Sequence, residues 1–502
     1  MHCEKCGSTK LKKNGRSVSS FGTKQVYKCL SCGSTFSLPE ENVWKDVRFL
    51  PETVLTGEKF VITSVQNNTE INTDFYNTLQ NFCKKNDAKL LIIPTLHKQM
   101  EYNPDEIEWF VDHELLLEKT SLNQKVSILS TIKINQSSEN PLGGLDSLSK
   151  GKSLIVPHNQ LQMRSLPVSN DDTPIVMTTT GTISKPNYVK SKSGEKAEFN
   201  HSYSAILIEF ESDIFHMRVL NCDSDGGFYD IDGYYKGKTH APLKGVEALI
   251  TGDEHVIVTC PDVTNATYKN PDSMVNTLKP KYIVRHDVLD CFTVSHHHRR
   301  DNFLQYSKFI NSMNKIEDEL NQTLAYVEET TPPKCKNVIV SSNHHDHLKR
   351  WLNETEPRME PWNAKIFYKL SYLMLEEIEK SDHITSPDPF ILYCNLMKPG
   401  FIQFTNRNET FKIKDIELSN HGDVGANGSR GSLTQFSRFS DKMVIGHSHT
   451  PGINKGAYSV GCSTPKKLEY TNGPSSWMNT HCVIYPNGKR QLLNIIKGKW
   501  KK

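Results

Sequence analysis

Five short runs of β-branched and aliphatic residues in the second half of this 502-residue chain each stop at side chains that bind metals. "VEALITGDEH" ends at Asp253 and His255, and "KYIVRHDVLD" at Asp287 and Asp290. "KNVIVSSNHHDH" turns polar at Asn343 and His344, "DIELSNHGD" reaches His421, and "DKMVIGHSHTPG" carries His447 and His449. Such runs read as buried strands. In α/β sheets, ligands gather outside the carboxyl ends of the strands. Converging strand ends would bring about four imidazoles, two carboxylates and an amide into one cleft, a donor set that suits two divalent cations better than one structural zinc. A chance scatter of twenty histidines does not explain why each group follows a strand directly.

The chain is too long for one compact domain, so two or three are expected. Hydrophobic residues make up 36% and charged residues 23%, an ordinary soluble balance. The longest apolar runs, such as "LLII" at 90–93, are too short to span a bilayer. The start, "MHCEKCGSTK", has no apolar core of the secretory kind. A cytosolic protein with no membrane partner is expected. The net charge of +3 supports no global argument about nucleic acid, but residues 1–39 carry seven Lys/Arg against one Glu.

That basic segment contains "CEKC" at Cys3 and Cys6 and "CLSC" at Cys29 and Cys32, each followed by Gly-Ser. Each C-x-x-C turn aims two thiolates at one point, and a hairpin between the turns brings all four together as a closed structural zinc site. Glycine after each pair suits a tight knuckle. In a reducing compartment, paired cysteines beside scattered single ones favour a metal site over disulfides. The Lys/Arg excess fits DNA or RNA contact, and docking of a protein partner is the alternative. Residues 1–40 are read as the ribbon and 41–57 as a linker. At 58–243 a separate α/β domain of unknown role is expected. It opens with a βαβ unit: a strand at 60–65, a polar turn at Gln66–Thr69, Phe75, Leu79 and Phe82 at helical spacing, and "KLLIIP". No glycine-rich phosphate loop follows its first strand. Asp-Gly-Gly punctuation near 225–227 predicts hairpins.

The ligand-bearing blocks resemble those of the calcineurin-like metallophosphoesterases: D-x-H, G-D-x-x-D, G-N-H-D, an isolated H, and G-H-x-H. Here they read "GDEH", "HDVLD", "SNHHD", "SNHG" and "GHSH", in the family's order, within 244–502. His286 and Ser342 stand where the family has glycine, and Asp346 comes one residue late. The resemblance implies a four-layer α-β-β-α sandwich for 244–502. It implies that Asp253, His255 and His449 hold one cation, that Asn343, His421 and His447 hold a second, and that Asp287 bridges them. His344 is implied to contact the phosphate and assist the leaving oxygen. With Asp290, Arg299 and Arg430 it makes up the candidate catalytic set.

Two such cations activate a water and clamp the phosphoryl oxygens of an in-line displacement. The implied cofactors are two divalent ions, Mn²⁺ first with Mg²⁺ or Fe as alternatives, besides one structural Zn²⁺. Nucleic acid is favoured as substrate by the ribbon, by "SHHHRRDNF" at 295–303 with Arg299 and Arg300, and by "HGDVGANGSRGS" at 421–432. Glycines recur there every third residue around Arg430, and bare N–H groups could cradle phosphates. The whole layout also resembles large phosphoesterases of tailed bacteriophages, including ones implicated in degrading host DNA, through "ITSVQNNT", "GGFYDIDG" and "GPSSWMNTHCVIYPNGKRQLLNI". The expected activity is a Mn²⁺-dependent DNA nuclease. A phosphatase, a cyclic-nucleotide phosphodiesterase, and a DNA-binding regulator with a scaffold domain remain open, as does a homo-oligomer.

Overall fold

A computed structural model of the chain describes residues 2–3, 5–19, 22–39, 53–66, 69–95, 115–116, 118–169, 175–381, 384, 386–468 and 473–501. Most of the expected linker, 41–52, lies outside these residues, as do Asn67 and Asn68 of the expected polar turn. The chain divides into two compact units, Met1–Thr53 and Val54–Lys502. The first is a three-stranded antiparallel meander of Leu11–Ser19, Gly22–Cys29 and Thr35–Pro39.

The second unit is mixed α/β with several sheets. Its βαβ unit is the one the sequence periodicity predicts. Lys59–Gln66 and Lys89–Thr95 pair in parallel around the helix Thr73–Asn86. That helix starts where the Asn72 side chain accepts the Phe75 N–H, ends at Asp87 in a left-handed conformation, and buries Phe75, Leu79 and Phe82. The hairpin Ser204–Glu211/Ile214–Asn221 completes a four-stranded sheet.

Two further sheets carry the ligand-bearing runs. In the six-stranded sheet, Ile402–Thr405, Lys336–Val340, Tyr282–Arg285 and Ala248–Ile250 run parallel in that order. The hairpin Thr480–Ile484/Arg490–Asn494 closes this sheet antiparallel to Ala248–Ile250. The eleven-stranded sheet contains Ile416–Glu417 and Lys442–Ile445. Its centre is an antiparallel seam at which Gln162, Met163 and Arg164 of one strand face Asn454, Ile453 and Gly452 of another. This seam corrects the expected boundary at 243. Strands from 120–179 extend the same sheet as strands from 412–459, so 58–243 is not a separate domain. Edge strands hydrogen-bond whatever complementary edge the chain offers, and sequence order does not reveal which.

Side chains from the sheets pack into one core, with Ile250, Val284 and Val338 against Ile416, Val444 and Tyr458, and with Phe60 and Ile206 of the four-stranded sheet. Burying each such side chain contributes about 1.5–3 kcal/mol. Helices cover the outer face of the six-stranded sheet, where Leu320, Leu348 and Trp351 pack on Ile339. Leu433 and Phe436 of a short helix pack on Met443 and Ile445 of the larger sheet. Among the described residues, no helix is long and apolar enough to cross a membrane.

A buried ion cluster ties the hairpin to the strand Phe228–Asp230. The Arg218 guanidinium donates from Nε and Nη2 to Asp230, at 2.6 and 2.8 Å, and from Nη1 to Glu209. Arg218→Ala would leave buried Asp230 without its cation, while Glu209 would keep only Lys59, at 3.2 Å. We expect it to lower stability by about 3–5 kcal/mol, read as the shift of the urea-unfolding midpoint at constant m-value.

Candidate metal centre

The five runs end where the sequence places its ligands. Ala248–Ile250 leads to Asp253 and His255, Tyr282–Arg285 to Asp287, and Lys336–Val340 to Asn343. Ile416–Glu417 precedes His421, and Lys442–Ile445 precedes His447 and His449. Backbone hydrogen bonds join the connecting loops across the site. Glu254 and His255 donate to the His286 and Asp287 carbonyls, at 3.0 and 2.7 Å, and Gly446 donates to the His421 carbonyl at 2.7 Å. The Glu417 carboxylate fixes the approach to His421 by accepting the N–H groups of Phe411, Leu418 and Ser419.

Asp253, His255, Asp287 and His449 form one buried group. His449 Nε2 stands 3.1 Å from Asp253 Oδ2 and 3.1 Å from His255 Nε2. Asp287 Oδ2 stands 3.6 Å from His255 Nε2 and 3.0 Å from His421 Nε2. Donors bound at about 2.1 Å to one cation are about 3.0–3.4 Å apart, so these separations fit shared ligation. Oδ1 of Asp253, Oδ1 of Asp287 and Oδ1 of Asn343 are buried with no hydrogen bond among the described residues. Buried carboxylate oxygens without donors call for a cation. His447 is half-buried, its ring centroid 5.3 Å from that of His421, and it falls outside the tight groups.

Burial would raise the Asp287 carboxyl, but the His421 and His344 imidazoles hold it well below the usual carboxylate range. His255 is pushed up to about 9, its burial outweighed by the Asp290 hydrogen bond and the Asp287 charge. His421 also rises to about 9, chiefly because Asp287 outweighs its burial. Four of the candidate ligands have left-handed backbones: His255 (φ 40°), Asp287 (φ 43°), His447 (φ 72°) and His449 (φ 56°). Non-glycine residues there cost about 1–3 kcal/mol each and cluster at functional sites.

Asp290 sits behind the site. Its Oδ1 accepts the His255 Nδ1–H at 2.7 Å, which leaves His255 Nε2 as the ligand nitrogen. Its backbone carbonyl accepts the His344 Nδ1–H at 2.7 Å. Asp290 is therefore a positioning residue rather than a group that meets substrate. His344 is half-buried, with its ring 4.6 Å from that of His255. Arg299 is committed to Glu354 and Thr355. Arg430 is exposed and pairs through its backbone with Val424. The glycine loop spends its amides on itself, Gly425 donating to Ser429, Gly428 to Gly425 and Gly431 to Asp423. These three N–H groups are therefore taken and cannot cradle a phosphate. Asp346 lies outside the cluster, paired with Arg407 at 2.9 Å.

The structure brings in a residue that the sequence reading set aside. His286 is fully buried, its Nδ1 3.3 Å from His421 Nδ1, and it groups with Asp253 and His421. Its place directly before Asp287 was the available signal. Trp477 packs edge-on to His449, with centroids 4.1 Å apart.

In the first unit the Cys3–Cys32 and Cys6–Cys29 sulfurs are each 3.6 Å apart, and all four lie within 4.8 Å of one another. Four thiolates at about 2.3 Å from one zinc stand about 3.8 Å apart, so the cluster fits that ion. Gly7 (φ 68°) and Gly33 (φ 73°) close the two knuckles.

Protein A1 of Escherichia phage T5 is 28% identical over 474 residues, covering 89% of this chain and 83% of that protein. This chain is similar to a phage protein. No protein-family model matches it, and no solved structure matches it.

Gly446 leaves no room for a side chain at the centre. A Cβ there would fall 2.3 Å from Asp253 Oδ1 and 2.9 Å from the His286 ring. Gly446→Ala is therefore expected to weaken divalent-metal binding about tenfold or more, as outer-shell changes typically do, with the far-ultraviolet circular dichroism unchanged. Isothermal titration with Mn²⁺ checks this.

Proposed function

We propose that this chain is a dinuclear-metal phosphodiesterase of the calcineurin-like metallophosphoesterase type, and that its substrate is DNA. The observation that carries the reading is the buried set Asp253, His255, Asp287, His421 and His449, in which Oδ1 of both carboxylates lacks a hydrogen-bond donor among the described residues. The two packed sheets with helices outside support the four-layer α-β-β-α sandwich for 244–502. The similarity to phage T5 protein A1 supports a phage-related role.

Asp253, His255 and His449 would hold one cation, Asn343, His421 and His447 the second, and Asp287 both. Bound there, Mn²⁺, or Mg²⁺ or Fe, supplies an activated water and neutralises the phosphoryl oxygens. The chain's own residues orient and move protons. Asp290 fixes the tautomer of His255. The Asp290 carbonyl accepts the His344 Nδ1–H, which leaves Nε2 as the nitrogen that would face the phosphate and, in the imidazolium form, give its proton to the leaving oxygen. Such acid assistance is typically worth about 10²–10⁴-fold.

The test incubates the full chain with linear, circular and single-stranded DNA in Mn²⁺, Mg²⁺ or EDTA. Cleavage that needs Mn²⁺ supports the reading, whereas turnover of phosphomonoesters alone would replace it with a phosphatase. Asp287→Asn is expected to abolish cleavage and release at least one cation, and near-normal activity in a folded, metal-replete variant would sink the dinuclear site. His344→Ala is expected to lose about 10²-fold or more in kcat while keeping its metals, with partial recovery on esters that have better leaving groups.

The Cys₄ module is the proposed DNA-targeting element. Lys5, Lys10, Lys12, Lys13 and Lys28 are exposed on it. Seven basic residues minus one acidic give +6 over 1–39, and a Cys₄–zinc centre of about −2 leaves roughly +4. Removing 1–40 is expected to reduce the salt slope of duplex binding by about 3–4 while turnover of a small chromogenic phosphodiester stays nearly unchanged. An unchanged slope would assign the module to protein docking or to structure alone.

A further inference from the structure

A second group of imidazoles stands outside the five ligand-bearing loops. His296 and His297 lie on the helical turn His296–His298, and His347 on the helix Asn343–Glu354. One nitrogen of each falls within 4.8 Å of the other two. The ring centroids are 3.8 Å apart for His296 and His297, 4.9 Å for His296 and His347, and 5.5 Å for His297 and His347. Nδ1 of His296 and Nδ1 of His347 are buried without a hydrogen-bond partner among the described residues. Buried ring nitrogens normally find a donor or an acceptor. A single cation among the three rings would satisfy both at once.

The donor set indicates which cation. No carboxylate belongs to the group. Imidazole donors suit zinc, copper, nickel and iron, whereas carboxylate and carbonyl oxygens suit magnesium, calcium and manganese. Arg299 and Arg350 share the Glu354 carboxylate, at 3.4 and 2.7 Å. His297 is exposed, so a three-imidazole site would reach solvent and keep a fourth position open. His347 follows His344 by one helical turn, with their rings 5.0 Å apart. A cation here would pin the turn His296–His298 to the helix that carries His344.

We propose that His296, His297 and His347 form a third cation site, selective for a zinc-class transition metal and separate from the centre around Asp287. The test uses the full chain, dialysed against a low fixed concentration of free Zn²⁺, with bound zinc counted by inductively coupled plasma mass spectrometry. Wild type is expected to hold one zinc more than His297→Ala, a substitution at an exposed position that leaves the fold intact by circular dichroism. His297→Cys, which restores a zinc-competent donor, is expected to regain that ion. Combining His297→Ala with Asp287→Asn is expected to remove one zinc beyond the loss caused by Asp287→Asn. Equal zinc in wild type and His297→Ala overturns the third site, whatever happens at Asp287. Loss of one zinc in His297→Ala with full metal content in Asp287→Asn sustains the third site and sinks the dinuclear reading instead.

Discussion

The buried carboxylate of Asp287 is the charge around which the second unit is arranged. Its Oδ2 lies between His255 of the smaller sheet and His421 of the larger, and its Oδ1 has no hydrogen bond among the described residues. In a low-dielectric interior, an ionised carboxylate that loses its partners is strongly destabilising. The two sheets therefore meet through electrostatics at one end and through aliphatic packing along the rest of the interface. Asp290 extends this arrangement outward by holding His255, and its carbonyl holds His344. His255 and His344 are thus fixed from behind before any substrate arrives.

The precision of the centre rests on backbone as much as on side chains. The ligand loops share hydrogen bonds, Glu254 and His255 with His286 and Asp287, and Gly446 with His421. They also hold four non-glycine residues at positive φ. Such conformations persist only where the surroundings over-determine them. The absence of a side chain at Gly446 serves the same end, because Asp253 occupies the space that a Cβ would take.

Much of this was legible in the sequence. Strand runs that end in ligands, the βαβ periodicity of 59–95, the final hairpin and the paired cysteines are local signals, and each has its counterpart in the structure. What was not legible was long-range. Nothing near Gln162–Leu166 announces that it pairs with Gly452–Asn454, so the boundary at 243 was misplaced. The role of Asp290 depends on which atom faces His255, and the glycine loop on where its N–H groups turn. Both are set by tertiary contacts. His286 was passed over because a pattern position was read as geometry rather than as an imidazole.

The seam between Gln162–Leu166 and Gly452–Asn454 also dictates when this protein can finish folding. Ser165 donates to the Pro451 carbonyl, 286 residues further along the chain. At about 5–20 residues per second, the ribosome supplies that partner roughly 15–60 s after the first strand emerges. Until then the early half presents an open sheet edge, with Val156, Met163 and Val176 close behind it. Chains translated together would hold many such half-made sheets at once. The yield of mature protein then depends on how well that waiting edge is kept from pairing with its copies.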